Sequence, residues 1–212
     1  MCVIAICEER ELTEFEIRRK WIVNDDGAGI AWFSPSGENQ YIKGLMTPQD
    51  FEREYKDIPF PHIVHFRSAT SGGISKALTH PFVCDRGATI KLEGITKHPL
   101  LFHNGVLSNW ENYLISACIA SGQKIPKGEW SDSRTVAFLV YYLGKRTLSL
   151  VSGKFVLMSN RNVTYWGDFQ KEDGIIFSSG YTYYTKNSAY KDYFNALGVP
   201  GLEAINDELG FY

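Results

Sequence analysis

No apolar run in this 212-residue sequence approaches the roughly 20 residues that a helix needs to cross a bilayer. The longest, at residues 136–143 and 155–158, are of a length suited to core elements, so a helical membrane span is not expected. A secretory leader is not expected either: the first ten residues, MCVIAICEER, have no basic start, and acids follow a short apolar stretch. Blocks of like charge are absent. With 22 basic and 24 acidic residues and a formal net charge of −2, neither nucleic acid nor an anionic membrane is the expected partner. Cysteine is scarce, and Cys2, Cys7, Cys84 and Cys118 show neither CxxC spacing nor a histidine partner pattern. That favours free thiols over disulfides or zinc, in a chain expected to be cytoplasmic and to need no cofactor.

Apolar residues are plentiful. Hydrophobic residues make up 44% and aromatics 14%, enough for a sizeable core, and no linker divides the chain, so residues 2–212 are expected to form one domain. Residues 2–7 read as a buried strand and 12–23 as a helix. Residues 30–33 and 41–46 read as a hairpin, and Thr47-Pro48-Gln49-Asp50 starts a helix with a capping hydroxyl and a proline in the first turn. Strands are expected at 62–69, 88–95, 100–103, 154–159, 163–167 and 175–178. Ser108-Asn109-Trp110-Glu111 reads as a capping box for a helix to about Ala120, and a second helix runs from Ser131 to about Leu143. Strands, then a helix pair, then strands again, without βαβ alternation, predict an α+β fold of layered antiparallel sheets.

The residue with the most chemical potential is Cys2. Once Met1 is removed, which the small cysteine side chain favours, the thiol lies a few ångström from an α-amine that titrates at about 7.7–8.0 and can act as its base. Alone, Cys2 is equally a small buried hydrophobe. The wider pattern is more specific. Cys2-Val3-Ile4-Ala5 opens the chain, Gly27-Ala28-Gly29-Ile30 follows, and then come His65-Phe66-Arg67-Ser68-Ala69-Thr70 and His80-Pro81-Phe82. His103-Asn104-Gly105 with Asn109, and Ser131-Asp132-Ser133 at a helix start, complete it. Six segments in this order resemble the class II, N-terminal-nucleophile glutamine amidotransferases, from residue 2 to about 136. Phe177-Ser178-Ser179 resembles a later strand of that family.

The resemblance implies a four-layer αββα sandwich and a glutaminase reaction through a thioester on Cys2. Glutamine is a zwitterion, and its recognition requires a cation, an anion and a nucleophile beyond the side chain. Arg67 suits the α-carboxylate through its planar fork, and Asp132 suits the α-ammonium. Thr70 and His80 are implied at the substrate pocket, and Asn104 with the Gly105 N–H as the oxyanion hole. Each has a plainer reading: a salt-bridged strand arginine, a helix-start acid facing the dipole, an ordinary Asn-Gly turn. A papain-like alternative would make His65, His80 or His103 the base. Gly72-Gly73 is either a loop over the substrate or a surface turn. Two positions depart from the family pattern, Val3 after the nucleophile and Arg134 where an acid is usual. Since the sequence ends at Tyr212, the ammonia acceptor implied by the family is expected to be a separate synthase. The remaining alternatives are another amidohydrolase of the same fold and a non-catalytic binding or regulatory domain.

Overall fold

A computed structural model describes residues 2–179; the expectations for Met1, and for the part of the single domain beyond 179, lie outside the described residues. In chain order the elements are β1 (Val3–Cys7), α1 (Glu14–Val23), β2 (Ala28–Phe33), β3 (Asn39–Leu45), α2 (Pro48–Tyr55), β4 (His62–Phe66), β5 (Phe82–Val83) and β6 (Glu93–Thr96). They continue with β7 (Leu100–Asn104), α3 (Trp110–Ser121), α4 (Asp132–Leu143), β8 (Lys154–Ser159), β9 (Asn162–Trp166), β10 (Gln170–Glu172) and β11 (Ile175–Phe177). The strands form a seven-stranded sheet, β10-β11-β1-β4-β2-β3-β6, and a four-stranded sheet, β5-β7-β8-β9. The pairings are antiparallel throughout.

Side chains alternate between the faces of a strand, and here that alternation assigns the layers. Ile4 and Ile6 of β1, Ile63 of β4, Leu100 and Phe102 of β7, and Val156 and Met158 of β8 form one core between the two sheets. The odd-parity partners Leu101, Phe155 and Leu157 join Leu114, Ala117, Val136 and Phe138 in a second core beneath α3 and α4. On the far face of the large sheet, Phe66 meets Trp21 of α1 edge-on at 5.8 Å and Phe51 of α2 at 5.2 Å. The order is helices, sheet, sheet, helices: the αββα sandwich of α+β class.

Local chemistry explains where the elements start. Thr13 and Glu16 form a capping box that begins α1 two residues later than the apolar pattern suggests. Thr47 caps α2 with proline in its first turn, as expected. Ser108 does not cap α3: Asn109 occupies that position in the left-handed region, φ 56°, without a side-chain cap bond. Most of 88–95 is not strand either. Ala88 has φ 43°, Asp85 Oδ1 accepts the Gly87 and Thr89 N–H groups, and Arg134 Nε donates to the Ala88 carbonyl at 2.8 Å. The backbone bonds of a strand are replaced there by side-chain partners, and only Glu93–Thr96 pairs, as an edge beside β3.

Candidate active site

The same two-residue alternation gathers the site. Cys2 shares the inner face of β1 with Ile4, Arg67 extends the inner face of β4 beyond His65, and Asn104 continues that of β7 beyond Phe102. All three reach one end of the sandwich, where the N-terminus of α4 supplies Asp132. A narrow cleft there is lined by Cys2, Arg67, Thr70, His80, Gly105 and Asp132. Six of the seven residues singled out in the sequence therefore share one cleft. Asn104 is buried directly before Gly105, with its side chain between the sheets.

The Cys2 thiol contacts the backbone of Ser68, with Sγ 3.3 Å from the carbonyl oxygen and 3.4 Å from the N–H. Burial pushes this thiol above its ordinary range, opposed in part by the Ser68 N–H and the Arg67 charge. Arg67 is buried, and its Nη2 donates to the carbonyls of Ser71 at 3.3 Å and Gly73 at 2.9 Å. Its Nη1 has no hydrogen-bond partner among the described residues. A buried guanidinium nitrogen without a partner, on the wall of a cleft, invites an anionic oxygen. Asp26 braces the arginine segment, since its N–H donates to the Arg67 carbonyl and its Oδ2 accepts the Ala69 N–H at 2.7 Å. Thr70 is exposed at the rim.

Asp132 opens α4, which Ser131 caps by accepting the Arg134 N–H at 3.2 Å. Its Oδ1 accepts the Ser133 N–H at 2.7 Å and its Oδ2 the Leu107 N–H at 3.1 Å. Each carboxylate oxygen offers about two acceptor sites, so an ammonium donor can still be accommodated. The Leu107 bond also secures the loop after Asn104. Gly105 is demanded by crowding: a Cβ there would lie 2.8 Å from both Gly153 Cα and His103 Nε2. Gly29 answers a similar need, because its Cβ would be 1.9 Å from the His80 carbonyl oxygen.

The histidines do not form a cysteine–histidine pair. Among the described residues, no histidine nitrogen is within hydrogen-bond distance of Cys2 Sγ. His65 Nε2 bonds to the His103 carbonyl at 3.2 Å, and His103 Nδ1 bonds to Ser133 Oγ at 3.0 Å. The His80 ring stacks on His65 at 3.9 Å, with neither of its nitrogens bonded among the described residues. Burial lowers His62 and His103 to about 4 and His65 to about 3, and takes His80 well below its ordinary value. His103 Nδ1 is 4.0 Å from Asp132 Oδ2, but the burial cost outweighs that attraction and the imidazole stays neutral.

These depressed values have a consequence for stability. The unfolded chain binds protons at His62, His65, His80 and His103 from about pH 6.5 downward, while the folded chain resists until about pH 3–4 or below. Stability is therefore complete above pH 6.5 and falls as the pH drops through that window. Each histidine contributes a slope of up to about 1.4 kcal/mol per pH unit. Urea unfolding at pH 7.5, 6 and 5 should show a progressive loss; equal stability at the three values would contradict the buried, neutral assignment.

Arg134, the departure from the expected acid, points away from the cleft. Its guanidinium donates to the carbonyls of Gly87, Ala88, Lys127 and Glu129 and lies 4.0 Å over the Trp130 ring. It ties two loops to α4 and lines no part of the site. Val3 is fully buried in β1. Three site-adjacent residues were not legible as such: Ser68 acts through its backbone, Ser133 through His103, and Ser178 through Asn104. Their only sequence signal was membership of short resembling segments.

Among the described residues no His, Cys, Asp and Glu cluster could hold a metal, and no helix is long and apolar enough to cross a membrane. No protein-family model matches the chain, and no curated protein matches its sequence. Solved structures do match in fold. One is glutamine phosphoribosylpyrophosphate amidotransferase from B. subtilis in complex with ADP and GMP, at TM-score 0.57 and 16% identity over 84% of this chain. Another, described as the allosteric regulatory enzyme of purine biosynthesis, matches at TM-score 0.57 and 17% identity, also over 84% of this chain. The chain spans 41% of the length of each. At such identities the likeness is one of fold alone: this chain shares the αββα sandwich of the part of those structures that it matches.

Proposed function

We propose that the chain is a glutamine-hydrolysing amidotransferase domain in which Cys2, freed by removal of Met1, attacks the side-chain amide of glutamine. The observation that carries this reading is the cleft itself, where the Cys2 thiol, the Arg67 Nη1 that has no partner among the described residues and the carboxylate of Asp132 converge. One cation and one anion beside a nucleophile match the α-carboxylate, α-ammonium and distal amide of the substrate.

In this reaction the half-buried thiol enters neutral and gives its proton to the Cys2 α-amine as Sγ bonds to the amide carbon. Charge on the carbonyl oxygen is met by the Asn104 side-chain amide and the Gly105 N–H. The ammonium returns the proton to the leaving nitrogen, ammonia departs, and a γ-glutamyl thioester remains. Water, deprotonated by the same amine, then adds to the thioester carbon; glutamate leaves and the thiol is regenerated. Thr70 and His80 shape the substrate pocket, His80 as a neutral, stacked ring. Ammonia at neutral pH is mostly protonated and a poor nucleophile, so direct delivery to a separate acceptor synthase forms part of the proposal.

Arg67→Lys should raise KM, because a point charge replaces a fork; the expected loss is about 1.5–3 kcal/mol in glutamine binding, with kcat little changed. Steady-state kinetics check this. The assay that tests the function is glutamate release from glutamine, compared with release from γ-glutamyl amines and acylated peptides under the same conditions. Preference for glutamine supports the reading. Turnover of acylated amines that lack an α-amino acid end, with glutamine untouched, would replace it by a different amidohydrolase.

A further inference from the structure

The Ser178 hydroxyl has no part in the steps above, yet it joins β1 and β7, two of the strands that build the cleft. It is 1% exposed, directly after β11. Its Oγ accepts the Ile4 backbone N–H at 2.9 Å and the Asn104 Nδ2–H at 2.9 Å. The two lone pairs of a hydroxyl are thereby both used by N–H donors. The backbone is held as firmly: the Ser178 N–H donates to the Ile4 carbonyl at 2.9 Å, and Lys154 Nζ donates to the Ser178 carbonyl. Lys154 lies opposite Asn104 in the β7–β8 register. Ile4 is two residues from Cys2 on the same face of β1. One oxygen thus ties the nucleophile's strand, in the large sheet, to the Asn104 amide, in the small one.

We infer that Ser178 is a positioning residue for the oxyanion site. This rests on the reading of Asn104 as an oxyanion donor. A primary amide carries two N–H bonds in one plane, so accepting the first from a fixed point sets the direction of the second. Preorganised donors stabilise developing charge because they need not reorient during reaction. A rotating Asn104 amide would lose that advantage while glutamine, held by Arg67 and Asp132, bound as before.

The test is a set of variants read by kcat and KM separately. Ser178→Ala should lower kcat by about 10- to 100-fold, less than or equal to loss of the donor itself, with KM within about threefold of the parent. Ser178→Thr, which keeps the hydroxyl, should recover most of the rate. In an Asn104→Ala background, Ser178→Ala should cause at most a small further loss of kcat, because no amide remains to be positioned and only the Ile4 N–H bond is left to lose. Should Ser178→Ala not fold, Ser178→Cys keeps the volume with a weak acceptor and should show the same kcat defect in smaller degree. An unchanged kcat in a folded variant, equal impairment by threonine, or a full effect without Asn104 would each overturn the inference. A readout independent of glutamine is the Asn104 side-chain amide pair in ¹⁵N-correlated NMR spectra, assigned by its loss in Asn104→Ala. Slow hydrogen exchange of one proton, made fast in Ser178→Ala or Ser178→Cys, supports the positioning bond even if the chain proves not to hydrolyse glutamine. Unaltered exchange would remove it.

Discussion

Cys2→Ala is expected to abolish glutamine hydrolysis and leave thermal unfolding almost unchanged. The reaction as proposed has one nucleophile, and deleting Sγ removes the atom that bonds to substrate. The structural loss is small, because among the described residues the thiol's hydrogen-bond contacts are two long ones to Ser68 backbone atoms, at 3.3 and 3.4 Å. Cys2→Ser should be severely slowed, since a hydroxyl ionises far less readily than a thiol and burial already disfavours the charged form at this position. No other cysteine can take over. Cys7 lies on the opposite face of β1, fully buried, with Sγ 3.8 Å from Tyr55 Oη and its thiol pushed up to about 12. Cys84 and Cys118 are buried in the core beneath the other helix pair. Glutamate release and circular dichroism on the purified variants measure both halves; near-parental turnover by Cys2→Ala would exclude the proposed chemistry outright.

Asn104→Ala should act on the chemical step. Removal of an oxyanion donor typically costs about 10²–10³ in rate, and the substrate's charged end is held by other residues, so kcat should fall by that amount with a small change in KM. Part of any stability loss would come from Ser178, whose Oγ would lose the Asn104 donor. A variant whose defect lies wholly in KM, like that expected of Arg67→Lys, would show that the two residues do not divide binding and chemistry in this way.

Much of this architecture was legible because period and caps agree. The largely apolar runs 2–7, 154–159 and 175–178 are of strand length, and they hold the strands Val3–Cys7, Lys154–Ser159 and Ile175–Phe177. Thr47 and Ser131 cap their helices as their positions suggest. The Gly27-x-Gly29 pair could be recognised as a pattern but not explained, since the need for Gly29 arises from the His80 backbone, more than fifty residues away. Residues 88–95 depart from the expected strand for a similar reason: propensity favours a strand, while the Ala88 carbonyl is bound by Arg134, 46 positions later in the chain. Ser108-x-x-Glu111 had the capping-box spelling, but the Leu107 N–H belongs to Asp132 and the chain enters α3 through Asn109 in the left-handed region. Local patterns located the elements and most of the cleft; long-range partners decided which polar residues hold it in shape. Ser178, whose hydroxyl reaches Asn104 across 74 positions, had no local signal beyond its place in the short resembling segment Phe177-Ser178-Ser179.

The central claim is that Cys2 is a processed N-terminal nucleophile facing a glutamine site. Mass spectrometry of the purified protein after exposure to a diazo-ketone analogue of glutamine tests it most directly. The account predicts a chain lacking Met1, with a single adduct on Cys2 that excess glutamine prevents. An unmodified Cys2, or an adduct formed equally well on chains that retain Met1, would contradict it.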